Sequence, residues 1–239
     1  MAQKQYEIMP NWCWNNLEVT GDEIQLREFV EKSTDKKLTH EDQEFAFQGT
    51  YPMPEEFKEI KTGAYTDENG ESHRRWREVD GNSIPVSDKE MKQLKEKYGS
   101  DNWYDWNIAN WGTKWDACEP EILNNDINFF SVSFQTAWSP PINWIDNIMQ
   151  DFPDLCFELE YDEPGMCFGG LLQAQYGVTW EDANWDLDSA SDCCEGEVEL
   201  DDDYEATCLI CGEECETIMK NTAEIKPAKT KIIKIKANE

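Results

Sequence analysis

Apolar and polar positions alternate along "WCWNNLEVTG", with Leu17 and Val19 on one parity, which predicts an opening strand. Gly21 and Asp22 then supply a turn and a helix cap, and Leu26, Phe29 and Val30 recur at i, i+3, i+4 in "EIQLREFVEK". A strand followed by an amphipathic helix is therefore expected. "EFAFQG", Glu44 to Gly49, reads as a short second strand, after which Pro52 and Pro54 interrupt regular structure. Residues 60–86 are rich in charge and turn formers and read as an exposed excursion. "SDKEMKQLKEKYG" predicts a further helix, capped by Ser87 or Asp88, carrying Met91, Leu94 and Tyr98 on one face, and stopped by Gly99.

"INFFSVSFQTAW", Ile127 to Trp138, has apolar residues on both parities, the pattern of a strand covered on both faces. Pro140 and Pro141 introduce a helix with Ile142, Ile145, Ile148 and Met149 on one side, ended by Pro153. Leu155, Phe157, Leu159 and Tyr161 then alternate with Cys156, Glu158 and Glu160, predicting a half-buried strand and, through "EPGM", a hairpin into "CFGGLLQAQYG". The paired glycines of that last stretch signal a bulge or a close backbone approach. The order strand, helix, strand, strand, helix, strand is that of an α+β, ferredoxin-like βαββαβ sandwich. On this reading residues 51–126 form an insertion of about 75 residues between strands 2 and 3, too long for a simple connection. The expected organisation is a ferredoxin-like domain over 9–176, an acidic Cys-rich module over 177–219 and a basic tail over 220–239. In that tail, "KPAKTKIIKIKANE", Lys alternates with Ile232, Ile233 and Ile235, the pattern of an added edge strand.

Three stretches carry a resemblance: "MPNWCWNNLEVTG" at Met9 to Gly21, "YDWNIANWGTKWDA" at Tyr104 to Ala117, and "FQTAWSPP" at Phe134 to Pro141. Together, in this order, they resemble a phage- and plasmid-encoded family with a YubB-like ferredoxin-like domain, over roughly residues 9 to 176. The resemblance implies the fold and a mobile-element origin, and no activity comes with it. The tail after Gly177 departs from the pattern.

Charge alters the picture. The net charge is −30, from 51 acidic and 21 basic residues, and no Lys, Arg or His stands between Lys114 and Lys220. The 105 residues between them carry 26 acidic side chains, whereas the end from Lys220 onward has six Lys against two Glu. Such a field repels phosphate backbones and acidic membranes and attracts basic surfaces. The expected partner is a host protein with a basic or nucleic-acid-binding surface, and direct nucleic-acid or membrane binding is disfavoured. Candidate partner-binding residues are Asp186, Asp188, Asp192, Glu195, Glu197, Glu199, Asp201, Asp202 and Asp203, whose close spacing imitates a phosphate row. A non-enzymatic accessory protein acting as a nucleic-acid mimic against a defence or regulatory factor follows as the leading expectation. The N-terminus shows no apolar signal core, and no segment reaches the roughly 20 apolar residues that span a bilayer, so a cytoplasmic location in a phage-infected or plasmid-bearing bacterial host is expected.

Two further chemistries are legible. Cys193 and Cys194 precede Cys208, Cys211 and Cys215, and the Cys208-x-x-Cys211-Gly212 turn has the shape of a zinc knuckle. Cys193 and Cys194 are adjacent and supply no second knuckle, so the readings are free thiols in an acidic loop or a structural zinc held by four of these thiolates. Trp103, Trp106, Trp111 and Trp115 could form stacking walls for a small ligand or nucleotide, with Lys114 or Arg75 as the polar contact. The leading reading of the segment is instead a plug that closes the core, in which the four tryptophans sit on a folded-over loop, because they do not share one helical face. His40 and His73 lie in polar surroundings, and no nucleophile-base motif is present, so catalysis is not expected; a metal-dependent enzyme built on acidic ligands is the remaining alternative.

Overall fold

The computed structural model describes residues 10–37, 44–191, 198–200, 206–208, 214–215, 217–221 and 231–232, and from residue 180 onward only the backbone is described. Strand β1 (Trp12–Gly21) leads into helix α1 (Glu23–Ser33) and two single-turn helices, α2 (Phe47–Thr50) and α3 (Glu55–Lys58). A small antiparallel sheet follows, made of β2 (Lys61–Thr66), β3 (Ser72–Val79) and β4 (Asn82–Pro85), and then helices α4 (Asp88–Tyr98) and α5 (Trp103–Asn110). The hairpin β5 (Cys118–Asp126) and β6 (Phe129–Ala137) precedes α6 (Ile142–Ile148) and the meander β7 (Leu155–Glu163), β8 (Phe168–Gln175), β9 (Val178–Ser191). Strands β10 (Val198–Leu200), β11 (Ala206–Cys208) and β12 (Glu214–Cys215) form a third sheet, while β13 (Thr217–Asn221) and β14 (Lys231–Ile232) pair with β9.

The main sheet runs β13-β9-β8-β7-β1-β6-β5, with β1 antiparallel to both β6 and β7. The alternation in β1 works as the sequence pattern requires. Cys13, Leu17 and Val19 are buried against the helices, and Trp14, Asn16, Glu18 and Thr20 face outward. Helix α1 starts where Asp22 accepts hydrogen bonds from the backbone N–H groups of Ile24 and Gln25, both at 3.0 Å. It buries Leu26 and Phe29. Phe29 is an aromatic hub, 5.6–6.3 Å in centroid distance from Phe130, Trp144, Phe152 and Phe157, mostly edge to face.

Glu44 to Gly49 is not a strand. Phe47 and Gln48 give their N–H groups to the carboxylate of Asp116 at 2.6 and 3.2 Å, so no ladder partner receives them and a helical turn begins there instead. Gly49 packs so tightly on the end of α1 that an added Cβ would lie 1.9 Å from the carbonyl oxygen of Lys32. The strand next to β6 is β5, which the sequence pattern left inside the insertion. Strands β5 and β6 are joined by a two-residue turn, so the long excursion lies between α1 and β5, not between β5 and β6. Glu119, Pro120 and two register shifts break the alternation of β5, which hid it.

Other expectations resolve more simply. The excursion over 60–86 is the β2–β4 sheet. In β6 Phe130, Val132 and Phe134 enter the core, and the other parity, Phe129, Ser131, Ser133, Gln135 and Ala137, is mixed in character with no residue fully exposed. Leu155, Phe157, Leu159 and Tyr161 are buried as their alternation predicted. Between Gly169 and Gly170 the β8–β9 register shifts, and a Cβ on Gly170 would meet the Tyr161 hydroxyl at 2.5 Å. Among the described residues no helix is long and apolar enough to cross a membrane.

Candidate functional site

The Trp-rich segment is a helix and a turn rather than a folded-over loop. Asn102 caps α5 by accepting the N–H of Asp105 at 3.0 Å, and its own amide donates to Asp101 and Asp105. Trp103, Asn107 and Trp111 follow at intervals of four, which places them along one face. Trp106 lies on a different face, stacked on Tyr51 at 5.9 Å and edge to face with Trp111 at 5.7 Å. Trp106 and Trp111 are both buried, and the Trp111 indole N–H donates to the Tyr51 carbonyl at 2.9 Å. These two act as the structural plug.

Trp103 and Trp115 are only partly buried and, with Trp111, line a cleft of about 800 Å³. Its other walls come from Gln48, Met53, Phe57 and Ile60, from Trp76 of β3, and from Lys58 and Lys61. Trp106 and Lys114, expected among the ligand contacts, are not lining residues: Lys114 lies over the Trp115 ring, 4.3 Å from its centroid. Arg75 is engaged with Asp101 at 3.2 Å and Asp105 at 3.7 Å. Asp116 lines the cleft, but its carboxylate accepts the N–H groups of Phe47, Gln48 and Ala117. Of the lining residues, only Trp103, Trp111 and Trp115 were expected as ligand contacts, and the rest, Asn107 and Trp76 among them, were missed. Asn107 was signalled by its four-residue spacing from Trp103 and Trp111, whereas nothing local distinguishes Trp76 from other aromatics of the excursion.

A second feature lies on the side of the main sheet away from the helices. In register, Glu18 stands opposite Glu158, Asn16 opposite Glu160 and Trp14 opposite Asp162. On the other side of β6, Glu121 stands opposite Ser133, which itself faces Asn16. The open face thus carries Glu18, Glu121, Glu158, Glu160 and Asp162 around Trp14, which is 54% exposed. None of these carboxylates forms an ion pair among the described residues, and β1, β6, β7 and β8 contain no Lys, Arg or His. Burial, then the neighbouring charges of Glu160 and Glu163, hold the Asp162 carboxyl above the ordinary aspartate range.

The acidic residues singled out in the sequence lie further along the chain. Asp186 and Asp188 belong to β9, where Asp188 is in register with Lys220 of β13, and Glu199 belongs to β10. Asp192, Glu195, Glu197, Asp201, Asp202 and Asp203 lie outside the described residues. Of the zinc candidates, Cys208 is in β11 and Cys215 in the adjacent β12, while Cys193, Cys194 and Cys211 lie outside the described residues. Asp67, Glu71 and His73 come within 4.8 Å of one another at the β2–β3 turn. Their contacts there are those of a turn: one Asp67 oxygen accepts the N–H groups of Asn69 and Glu71, and the other meets His73 Nε2 at 3.1 Å. Burial pushes the Cys13 thiol up to about 12 and that of Cys118, at the cleft, to about 11, so both are thiols at neutral pH.

Residues 108–210 match a family described as the ferredoxin-like domain in Api92-like protein. The crystal structure of protein api92 from Yersinia pseudotuberculosis is similar to this chain at 11% sequence identity and a TM-score of 0.37, over 70% of this chain and 95% of that one. None of the curated proteins matches. The chain thus mixes helices and sheets and carries a region similar to a ferredoxin-like domain.

Proposed function

We propose that this chain is a non-enzymatic binding protein whose open, acidic sheet face docks on a basic protein surface, of the kind that otherwise holds nucleic acid. The observation that carries the reading is the set Glu18, Glu121, Glu158, Glu160 and Asp162 on a face whose strands contain no cation. Like charges placed opposite each other on neighbouring strands cost stability, so a partner that supplies cations relieves a strain the free protein carries. Complementary charge also accelerates encounter, and the acceleration falls with salt. Trp14, exposed among the carboxylates, supplies the apolar anchor that such interfaces concentrate near their centre. The resemblance to a mobile-element family favours a host protein as the partner, acting in the cytoplasm.

The scaffold that presents this face is read as a βαββαβ core made of β1, α1, β5, β6, α6 and β7, with the excursion placed after the first helix. The family match over the second half and the order β7-β1-β6-β5 support that reading.

The test is a pull-down from bacterial lysate with the whole chain as bait, at low and at high salt, with captured proteins identified by mass spectrometry. Enrichment of basic, nucleic-acid-binding proteins is expected at low salt and should be lost in a Glu18→Lys, Glu160→Lys variant. A control reversal at Glu28 and Glu31, on the exposed side of α1, should leave capture intact. Enrichment of no basic protein at low salt, or equal capture by the reversed sheet face, would sink the proposal.

A further inference from the structure

The cleft between α5 and the excursion sheet is a separate site with its own chemistry. Three of its walls are indoles from different elements: Trp76 from β3, Trp103 from the first turn of α5, and Trp115 from the connector to β5. Each is held in place by its neighbours. The Trp76 ring rests on Gly63, where an added Cβ would be 3.3 Å from it, and lies 5.7 Å from Tyr65. Trp103 packs edge to face with Tyr104, and Trp115 lies 6.1 Å from Trp12. Partly exposed, fixed indoles offer flat apolar surface for a flat ligand at little further ordering cost.

The polar group at the back of the cleft is Asn107, which is 4% exposed. Its amide nitrogen donates to the carbonyl of Lys114 at 2.9 Å, which sets the orientation of the side chain. Its Oδ1 is left without a hydrogen-bond partner among the described residues. That oxygen is also closed off from solvent, so Asn107 shapes the back wall of the cleft rather than contacting a ligand. The Asp116 carboxylate is likewise turned to the protein, accepting three backbone N–H groups. Lys58 and Lys61 are exposed at the rim, and Lys61 forms no ion pair among the described residues.

We propose that this cleft binds a planar heterocycle bearing an anionic group, a nucleotide-sized molecule. The ring lies against the indoles, and the anionic group reaches Lys61, while Lys58 is paired with Glu55 at 2.7 Å. A volume of about 800 Å³ accommodates such a ligand. The site is independent of the acidic sheet face, so either can fail without the other.

The experiment titrates the whole chain with the four common nucleoside monophosphates and their nucleosides, read by tryptophan fluorescence and by calorimetry. At least one monophosphate is expected to quench fluorescence and bind more tightly than its nucleoside. Lys61→Glu should remove that preference, a loss of about twofold to fivefold, without touching nucleoside affinity. Trp103→Ala should weaken both by at least about fivefold, the scale of a lost stacking surface. Near-UV circular dichroism confirms that each variant is folded. Absence of binding by every probe at millimolar concentration overturns the proposal, as does unaltered affinity in folded Trp103→Ala. Equal binding of nucleoside and monophosphate, unaffected by Lys61→Glu, overturns the anionic requirement.

Discussion

The carboxylate of Asp116 accepts the backbone N–H of Phe47 at 2.6 Å, joining two positions 69 residues apart in the chain. With the 3.2 Å contact to Gln48 N, it acts as the N-cap of α2 from outside that helix. Asp116→Ala leaves these donors unsatisfied in a part-buried setting. The expected loss is about 1–2 kcal/mol, seen as a melting temperature lower by roughly 2–8 °C, with Asp116→Asn losing less.

The contact of Gly49 with Lys32 O leaves no space for a methyl group. Gly49→Ala must push α2 away from α1 and should destabilise by about 1–3 kcal/mol, the usual range for overpacking. Chemical denaturation measures it, and a neutral result would show that the two helices can separate freely.

Removing the aromatic hub should cost most. Phe29→Ala deletes a ring in contact with four others and is expected to lose about 3–5 kcal/mol. An urea midpoint shifted without a change in slope would identify this as loss of native stability.

Two carboxyls predict opposite pH behaviour. Glu56 accepts hydrogen bonds from the Tyr98 hydroxyl and then from Lys97, and these hold it down at about 2. Its contribution is present above the ordinary glutamate range and is lost as pH falls toward about 2, so Glu56→Gln should lower the melting temperature at neutral pH and match the parent in strong acid. Asp162 is raised, by burial first and then by Glu160 and Glu163. The native state then holds its proton more tightly than the unfolded chain, so ionised Asp162 destabilises at neutral pH, and the penalty fades as pH falls through the raised native value and is gone below the ordinary aspartate value. Asp162→Asn should therefore raise the melting temperature at neutral pH and lose that advantage in acid. A decrease at neutral pH would show that the charge is compensated in the folded protein.

Thiol chemistry gives a last check. Cys167 is exposed, whereas Cys13 is buried and held as a thiol. Peptide mapping after alkylation of the native protein should find Cys167 modified well before Cys13.

Local pattern alone determined much of this protein. The strands around Leu17, Phe130 and Phe157, the helices around Phe29, Leu94 and Ile145, and the caps Asp22 and Ser87 are legible because each follows from periodicity or from side chains within a few residues. The segregation of charge was equally visible, as was the tight backbone approach at Gly169 and Gly170. Tertiary structure decided what depends on distant partners. Glu44 to Gly49 became a helical turn because Asp116 took its N–H groups, and β5 joined the sheet despite a broken alternation because β6 offered a partner ladder. The same reason separates Trp106 from Trp103: composition treats them alike, but only packing against Tyr51 buries the first, and only the arrival of Trp76 from the excursion places the second beside Asn107 in a cleft. Periodicity is a property of neighbours in sequence, whereas a capped turn, a sheet edge and a cleft are made by residues that meet only after the chain has folded.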